Sequence, residues 1–189
     1  MAKKKLFSGI IFLGCLLLLG VGFYRGDYLN KGILNNVTER NGYVLNKIND
    51  NEMVELYIEP EWIPFNTKNE KNYNTKLAEK HNTNIILKQV WNRGTDLYFS
   101  FDTTYNLNYS SGSFMYNGIF NEDGTFTSSM SVNDFYLVNN DGVEIGVGQR
   151  GRGPNSAFGF AIKPENYDLI KDGFYIQYSG FYVYEYSKK

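Results

Sequence analysis

The sequence predicts an all-β, antiparallel fold, a sandwich or a barrel, behind an apolar N-terminal segment. Three observations carry this. "TDLYFSFD" places Leu97, Phe99 and Phe101 on one face and Asp96, Ser100 and Asp102 on the other, the period-2 pattern of a sheet with one wet side. "NNDG" at 139–142 interrupts two such runs, and Asp-Gly accepts the positive φ angles of a tight hairpin turn. Aromatic residues make up 17% of the chain, with 16 Tyr and 14 Phe, enough to fill a core from half-buried pleated positions. Alternating strands and long helices are missing, which argues against a parallel α/β sheet.

Residues 1–25 read as a membrane anchor or signal segment. Lys3, Lys4 and Lys5 precede 19 uncharged residues, 6–24, closed by Arg25. About 20 apolar residues span a bilayer, whereas a secretory h-region holds roughly 7–15. A basic head stays cytoplasmic, so the rest is expected outside, on a single-pass cell-membrane protein. Two rival readings also export the domain. "FLGC" at 12–15 resembles a lipoprotein cleavage box that would lipidate Cys15, but four leucines follow the cysteine. Cleavage near Gly20-Val21-Gly22 would release the chain instead. Cys15 is the sole cysteine, so the exported part can form no internal disulfide and no cysteine-based zinc site. The head holds four of the 19 basic residues and no acid. The remainder has 15 basic against 20 acidic residues, a net charge of −5. That balance lacks the footprint of nucleic-acid binding.

Residues 26–52 are expected to be a linker or stalk. Leu29, Ile33 and Val37 allow a short helix that Gly32 and nearby asparagines weaken, and a strand can begin at 42–48. Residues 53–189 form the β domain. Met53–Phe65 is an edge strand ended by Pro60 and Pro64. Residues 66–84 are polar and Asn/Lys-rich, expected as a loop with at most one helical turn. Strands follow at 85–91, 95–102 and 113–120, then "TFTSSMSV", "DFYLV", "VEIGVG" and "AFGFAI", a crossover at 163–173, and "FYIQYSGFYVYEY". In this last run Phe174, Ile176 and Tyr178 are even-numbered, but Phe181 and Val183 are odd-numbered. A bulge at Ser179-Gly180 would absorb the change of phase.

"DFYLVNNDGVEIGVG" and "IKPENYDLIKDGFYIQYSGF" resemble the small immunoglobulin-like extracytoplasmic domains that Gram-positive bacteria display behind an N-terminal membrane anchor. The resemblance implies an antiparallel immunoglobulin-like β-sandwich after an N-terminal transmembrane or signal helix. It also implies an extracytoplasmic role and little more. The Cys pair of antibody domains is absent.

Chemistry-bearing motifs are few. "GVGQRGRGPNSAFGF" at 146–160 lacks the Lys and hydroxyl of a P-loop, and strand rather than helix follows it. It reads as a glycine-rich bend after a strand that begins at Val143. Gly146 and Gly148 belong to that strand, and Gly151, Gly153 and Pro154 make the bend. Arg150 and Arg152 remain as a fork able to grip a carboxylate or phosphate. His81, the only histidine, sits in the polar stretch, and no G-x-S-x-G elbow is present. Asp96 and Asp102 are solvating positions on a wet face. The Asp-Gly pairs at Asp123, Asp141 and Asp172 are turn chemistry without calcium-loop spacing. Tyr182, Tyr184 and Tyr186 alternate opposite Phe181 and Val183. They form either an exposed binding stripe or a face that the rest of the fold covers. The reading is a non-catalytic interaction module of the cell envelope, with no cofactor, no metal and no nucleic acid. Its contacts would be the membrane through residues 6–24 and an envelope protein or cell-wall polymer. A lipocalin-like small-ligand binder and an envelope-polymer hydrolase are the alternatives.

Overall fold

The computed structural model describes residues 30–128 and 130–189. The apolar run at 6–24 and Cys15 lie outside them, and no helix among the described residues is long and apolar enough to cross a membrane. The chain enters through helix α1, residues 30–38. Asn41 N–H reaches the Asn36 carbonyl at 2.7 Å and Arg40 N–H the Val37 carbonyl at 3.1 Å. These two bonds make a Schellman cap, with Arg40 (φ 56°) at the left-handed position usually given to Gly. The Arg40 guanidinium donates to the carbonyls of Asn121 (2.9 Å) and Phe120 (3.2 Å), which offsets that backbone strain.

Strand β1 (Tyr43–Ile58) starts inside the segment expected as a linker. After a 3-10 turn at Pro60–Trp62 come β2 (Glu70–Lys80), β3 (Thr83–Asn92), β4 (Leu97–Tyr105), β5 (Ser111–Tyr116), β6 (Ile119–Phe120) and β7 (Phe126–Thr127). They are followed by β8 (Phe135–Asn139), β9 (Arg150–Arg152), β10 (Phe158–Ile162), the one-turn helix α2 (Tyr167–Ile170) and β11 (Phe174–Lys188). The fold is all-β and antiparallel, built on two main sheets. One sheet has the order β2-β3-β4-β10-β9. The other is centred on β11, with β1 on one side and β8 and β5 end to end on the other.

The sheets face each other across one core. Phe99, Phe101, Phe158 and Phe160 meet Val54, Leu56, Phe174, Ile176, Tyr178 and Phe181, all buried. Phe158 stacks on Tyr178 with centroids 4.1 Å apart, and Phe174 meets Phe99 edge-on at 5.3 Å. Each such ring pair contributes roughly 0.5–1.5 kcal/mol beyond its burial. The interior that a lipocalin-like binder would leave open is filled by these rings.

The bulge in β11 lies where the phase change predicts it. Val54 pairs with Tyr178 but Glu52 with Phe181, so β11 carries one extra residue at Ser179-Gly180, and Phe181 turns inward. A Cβ on Gly180 would come within 2.6 Å of Arg152 Nη2.

Three expectations need correction. Among the described residues of "TFTSSMSV" only Phe126–Thr127 is strand, and a 3-10 turn begins at Val132. The polar stretch 66–84 is a strand hairpin rather than a loop. β2 and β3 are joined at His81 (φ 48°) and Asn82 (φ 53°), the paired left-handed angles of a type I′ turn. β2 is an edge strand that half-buries only Tyr73, Thr75, Leu77 and Ala78, so polar composition does not forbid it. Its lysines guard the open edge. "VEIGVG" is likewise no continuous strand. It makes a single bridge, Glu144 to Val138, and then crosses between sheets. Gly148 N–H bonds the Ala161 carbonyl of the opposite sheet at 2.8 Å. Ile145 is buried while Val143 is 48% exposed. Gly151 consequently lies within β9, and the bend is the 3-10 turn Pro154–Ser156.

Candidate functional site

The structure gives the sequence-predicted residues unlike positions. Arg152 is internal, its side chain 8% exposed. Its guanidinium donates to the Asn117 carbonyl (2.8 Å), the Gly180 carbonyl (3.1 Å) and the Asp134 carboxylate (3.0 Å). Asp134 also accepts from Ser131 N–H at 2.9 Å. A guanidinium committed to these internal acceptors ties β9 to the β11 bulge and to the turn before β8. Arg150 is half-buried and, among the described residues, reaches only the Gly148 carbonyl, at 3.4 Å.

The three tyrosines form no exposed stripe. Tyr184 and Tyr186 are buried in a second core with Val37, Tyr43, Leu45, Leu107 and Phe114, and Tyr182 is half-buried. Tyr184 donates to the Gly118 carbonyl at 2.9 Å, and burial pushes its phenol up to about 12. Tyr186 donates to the Asn108 carbonyl at 2.8 Å. α1 and the residues after β4 cover this face, so β11 is buried on both sides at Val183 and Tyr184, while Glu185 and Ser187 are exposed.

The residues considered for catalysis are separated and engaged. His81 sits at the β2–β3 turn, its Nε2 3.5 Å from Glu52 Oε1. Glu52 also pairs with Lys80 and accepts from the Asn49 amide, and the Lys80 bond holds its carboxyl below the usual range. Asp96 takes a two-point grip from Arg93 at 2.6 and 2.7 Å, and Asp102 pairs with Lys88 at 2.9 Å. Among the described residues, no group of three or more His, Cys, Asp or Glu is placed to hold a metal ion. Asp123 accepts from Thr125 N–H at 2.9 Å, the local bond of a turn.

An exposed aromatic face does exist, on the other half of β11. Tyr57, Tyr175 and Val138 stand in one row across β1, β11 and β8, and Glu55, Gln177 and Tyr136 in the next. The Tyr57 and Tyr175 rings lie 4.8 Å apart. Tyr136 is 45% and Tyr175 40% exposed. Gln177 donates to Glu55 at 3.3 Å. Nothing in the described structure covers this face as α1 covers the other half. The signal was in the sequence. The same alternation that turns Phe174, Ile176, Phe135 and Leu137 inward turns Tyr175, Gln177, Tyr136 and Val138 outward.

Fold and surface together define a two-sheet antiparallel β domain with a tyrosine-bearing outer face. Compared with protein-family models, curated proteins and solved structures, the chain matches none.

Proposed function

We propose that this chain is a membrane-anchored, extracytoplasmic, non-catalytic interaction module of the cell envelope. Its docking surface is the outer face of β1, β11 and β8 that carries Tyr57, Tyr136 and Tyr175. The exposed tyrosine rows are the observation that carries the reading. A tyrosine offers a broad apolar ring with a polar tip at small entropic cost, which suits docking on a protein or on the sugar faces of a cell-wall polymer. The acidic balance after residue 25 and the uncharged run at 6–24 support export and anchoring. The pairing of Asp96, Asp102 and Glu52 within the fold supports a non-catalytic role. Kinship with immunoglobulin-like envelope domains belongs to the same proposal, and the two-sheet antiparallel architecture supports it. The pairing of β1 with β11 is not part of the ABED/CFG order of that fold.

A photo-crosslinking amino acid placed at position 175 of the full chain, in intact cells, tests the surface. Position 88, on the other sheet, serves as control. The expected result is a discrete envelope adduct from position 175, reduced by Tyr57→Ser and Tyr136→Ser. Equal adducts from both positions, or none, overturn it. Palmitate labelling of wild type and Cys15→Ser tests the anchor. Labelling lost in the variant establishes lipidation, and equal labelling removes it.

A further inference from the structure

A cleft of about 510 Å³ opens between α1 and the end of β4, a volume in the usual range for a small-ligand site. α1 contributes Asn30, Leu34 and Asn35, β4 contributes Thr103, Thr104 and Tyr105, and Asn155 stands on the rim. Among the described residues that line it, Lys31 alone carries an ammonium or guanidinium, and none carries a carboxylate.

We infer that this cleft binds a neutral, hydroxyl-rich ligand, one sugar unit of a glycan, gripped by the carboxamides of Asn35 and Asn155. Both carboxamides are solvent-exposed, and among the described residues neither has a hydrogen-bond partner, so both are open to a ligand. The neighbouring polar groups are already fixed. Asn30 accepts Leu107 N–H at 2.9 Å through its oxygen, which leaves its amide hydrogens to donate. Thr104 accepts from the Asn84 amide at 3.2 Å.

The rim is held in a conformation that side-chain-bearing residues seldom adopt. Asn155 (φ 55°) and Ser156 (φ 63°) are consecutive left-handed residues. Thr103 Oγ1 grips the Asn155 carbonyl at 2.6 Å, and buried Ser156 accepts Asn117 N–H at 2.9 Å. Strained backbone of this kind persists only where its surroundings over-determine it, and such positions gather at binding sites. It presents the Asn155 side chain at the cleft.

The lining discriminates among ligand classes. An anion needs more than one lysine or an arginine fork. An apolar ligand would desolvate the amides without pairing them. A hydroxyl-rich ring pairs with amides that both donate and accept, while its C–H face packs on Leu34 and Tyr105. The cleft lies at α1, on the covered half of the β11 sheet, and does not depend on the tyrosine face.

The test is saturation-transfer NMR and titration calorimetry on the full chain, held in a detergent without a sugar headgroup. The probes are tetramers of glucose, mannose, galactose and N-acetylglucosamine, with polygalacturonate as the acidic arm. The variants are Asn35→Ala and Asn155→Gly, and glycine keeps the left-handed backbone while removing the carboxamide. The expected result is binding of at least one neutral tetramer, weakened tenfold or more in each variant and unchanged by Tyr175→Ser. Circular dichroism melts confirm that Asn155→Gly is folded. Binding of none of the neutral tetramers, binding of polygalacturonate alone, or unchanged affinity in both carboxamide variants overturns it. An effect of Tyr175→Ser equal to that of Asn155→Gly also overturns it, because the sugar would then sit on the tyrosine face.

Discussion

Arg152→Met will destabilise the domain severely, and the size of the loss reports whether this guanidinium serves the fold or a partner. Both members of the Arg152–Asp134 pair are largely inaccessible, at 8% and 10% side-chain exposure. Methionine approximates the aliphatic stem but supplies no donor. The substitution strands the Asp134 carboxylate and removes the donors now serving the Asn117 and Gly180 carbonyls. Removing one partner of a buried pair costs about 3–5 kcal/mol. For a domain of this size, each kcal/mol moves Tm by roughly 2–4 °C, so Tm should fall by about 6–20 °C. Urea unfolding followed by tyrosine fluorescence, with Asp134→Asn and the double variant, completes a cycle. The double variant should lose less than the sum of the singles, because the stranded charge is gone. A loss below about 1 kcal/mol for Arg152→Met, with no coupling to Asp134, would refute the reasoning and return Arg152 to the surface as a binding group.

Gly180→Ala forces a Cβ against Arg152 Nη2 and should cost roughly 1–3 kcal/mol in the same unfolding assay, the range of overpacking. Asn82→Val places a β-branched residue at φ 53° and removes the Asn82 amide bond to the Ser113 carbonyl. A loss of about 2 kcal/mol is expected. Asn82→Gly, which suits the angle, should stay within about 1 kcal/mol of wild type. Tyr178 and Tyr184 are each pushed up to about 12, chiefly by burial. A phenol raised in the folded state stabilises below its unfolded value near 10, and that contribution is lost as pH rises from there through 12. Burial raises Tyr105 as well, so absorbance titration at 295 nm should show at least these three phenols ionising late, together with unfolding. Ionisation of every tyrosine in one wave near pH 10, with the fold intact, would contradict their burial.

What the sequence disclosed follows from what alternation encodes. Period 2 records which side chains share a face, so the strands around Phe99 and Phe174 were legible. So was the bulge, since Phe181 breaks the parity of Tyr178. Alternation does not record what lies over a face. Tyr182, Tyr184 and Tyr186 were rightly set opposite Val183, but their cover comes from α1, whose docking is a tertiary event. β2 was hidden for the complementary reason. An edge strand with one half-buried face has no need of apolar residues, and Asn and Lys mask it. "VEIGVG" alternates equally well whether it pairs continuously or crosses between sheets. The cleft was illegible altogether, because Asn35, Thr103 and Asn155 come from three distant segments.

The pairing of β1 with β11 joins residues such as Glu55 and Gln177, 122 positions apart. The ribosome makes β11 after β1, β5 and β8, and until then those three have no strand to zip onto. Half of the molecule is therefore committed late, in one step, by a single hydrophobic ribbon. Anything that delays or clips that ribbon leaves three orphan strands exposed together. The proteolytic and aggregation hazard of these strands is thus concentrated in the interval before β11 arrives.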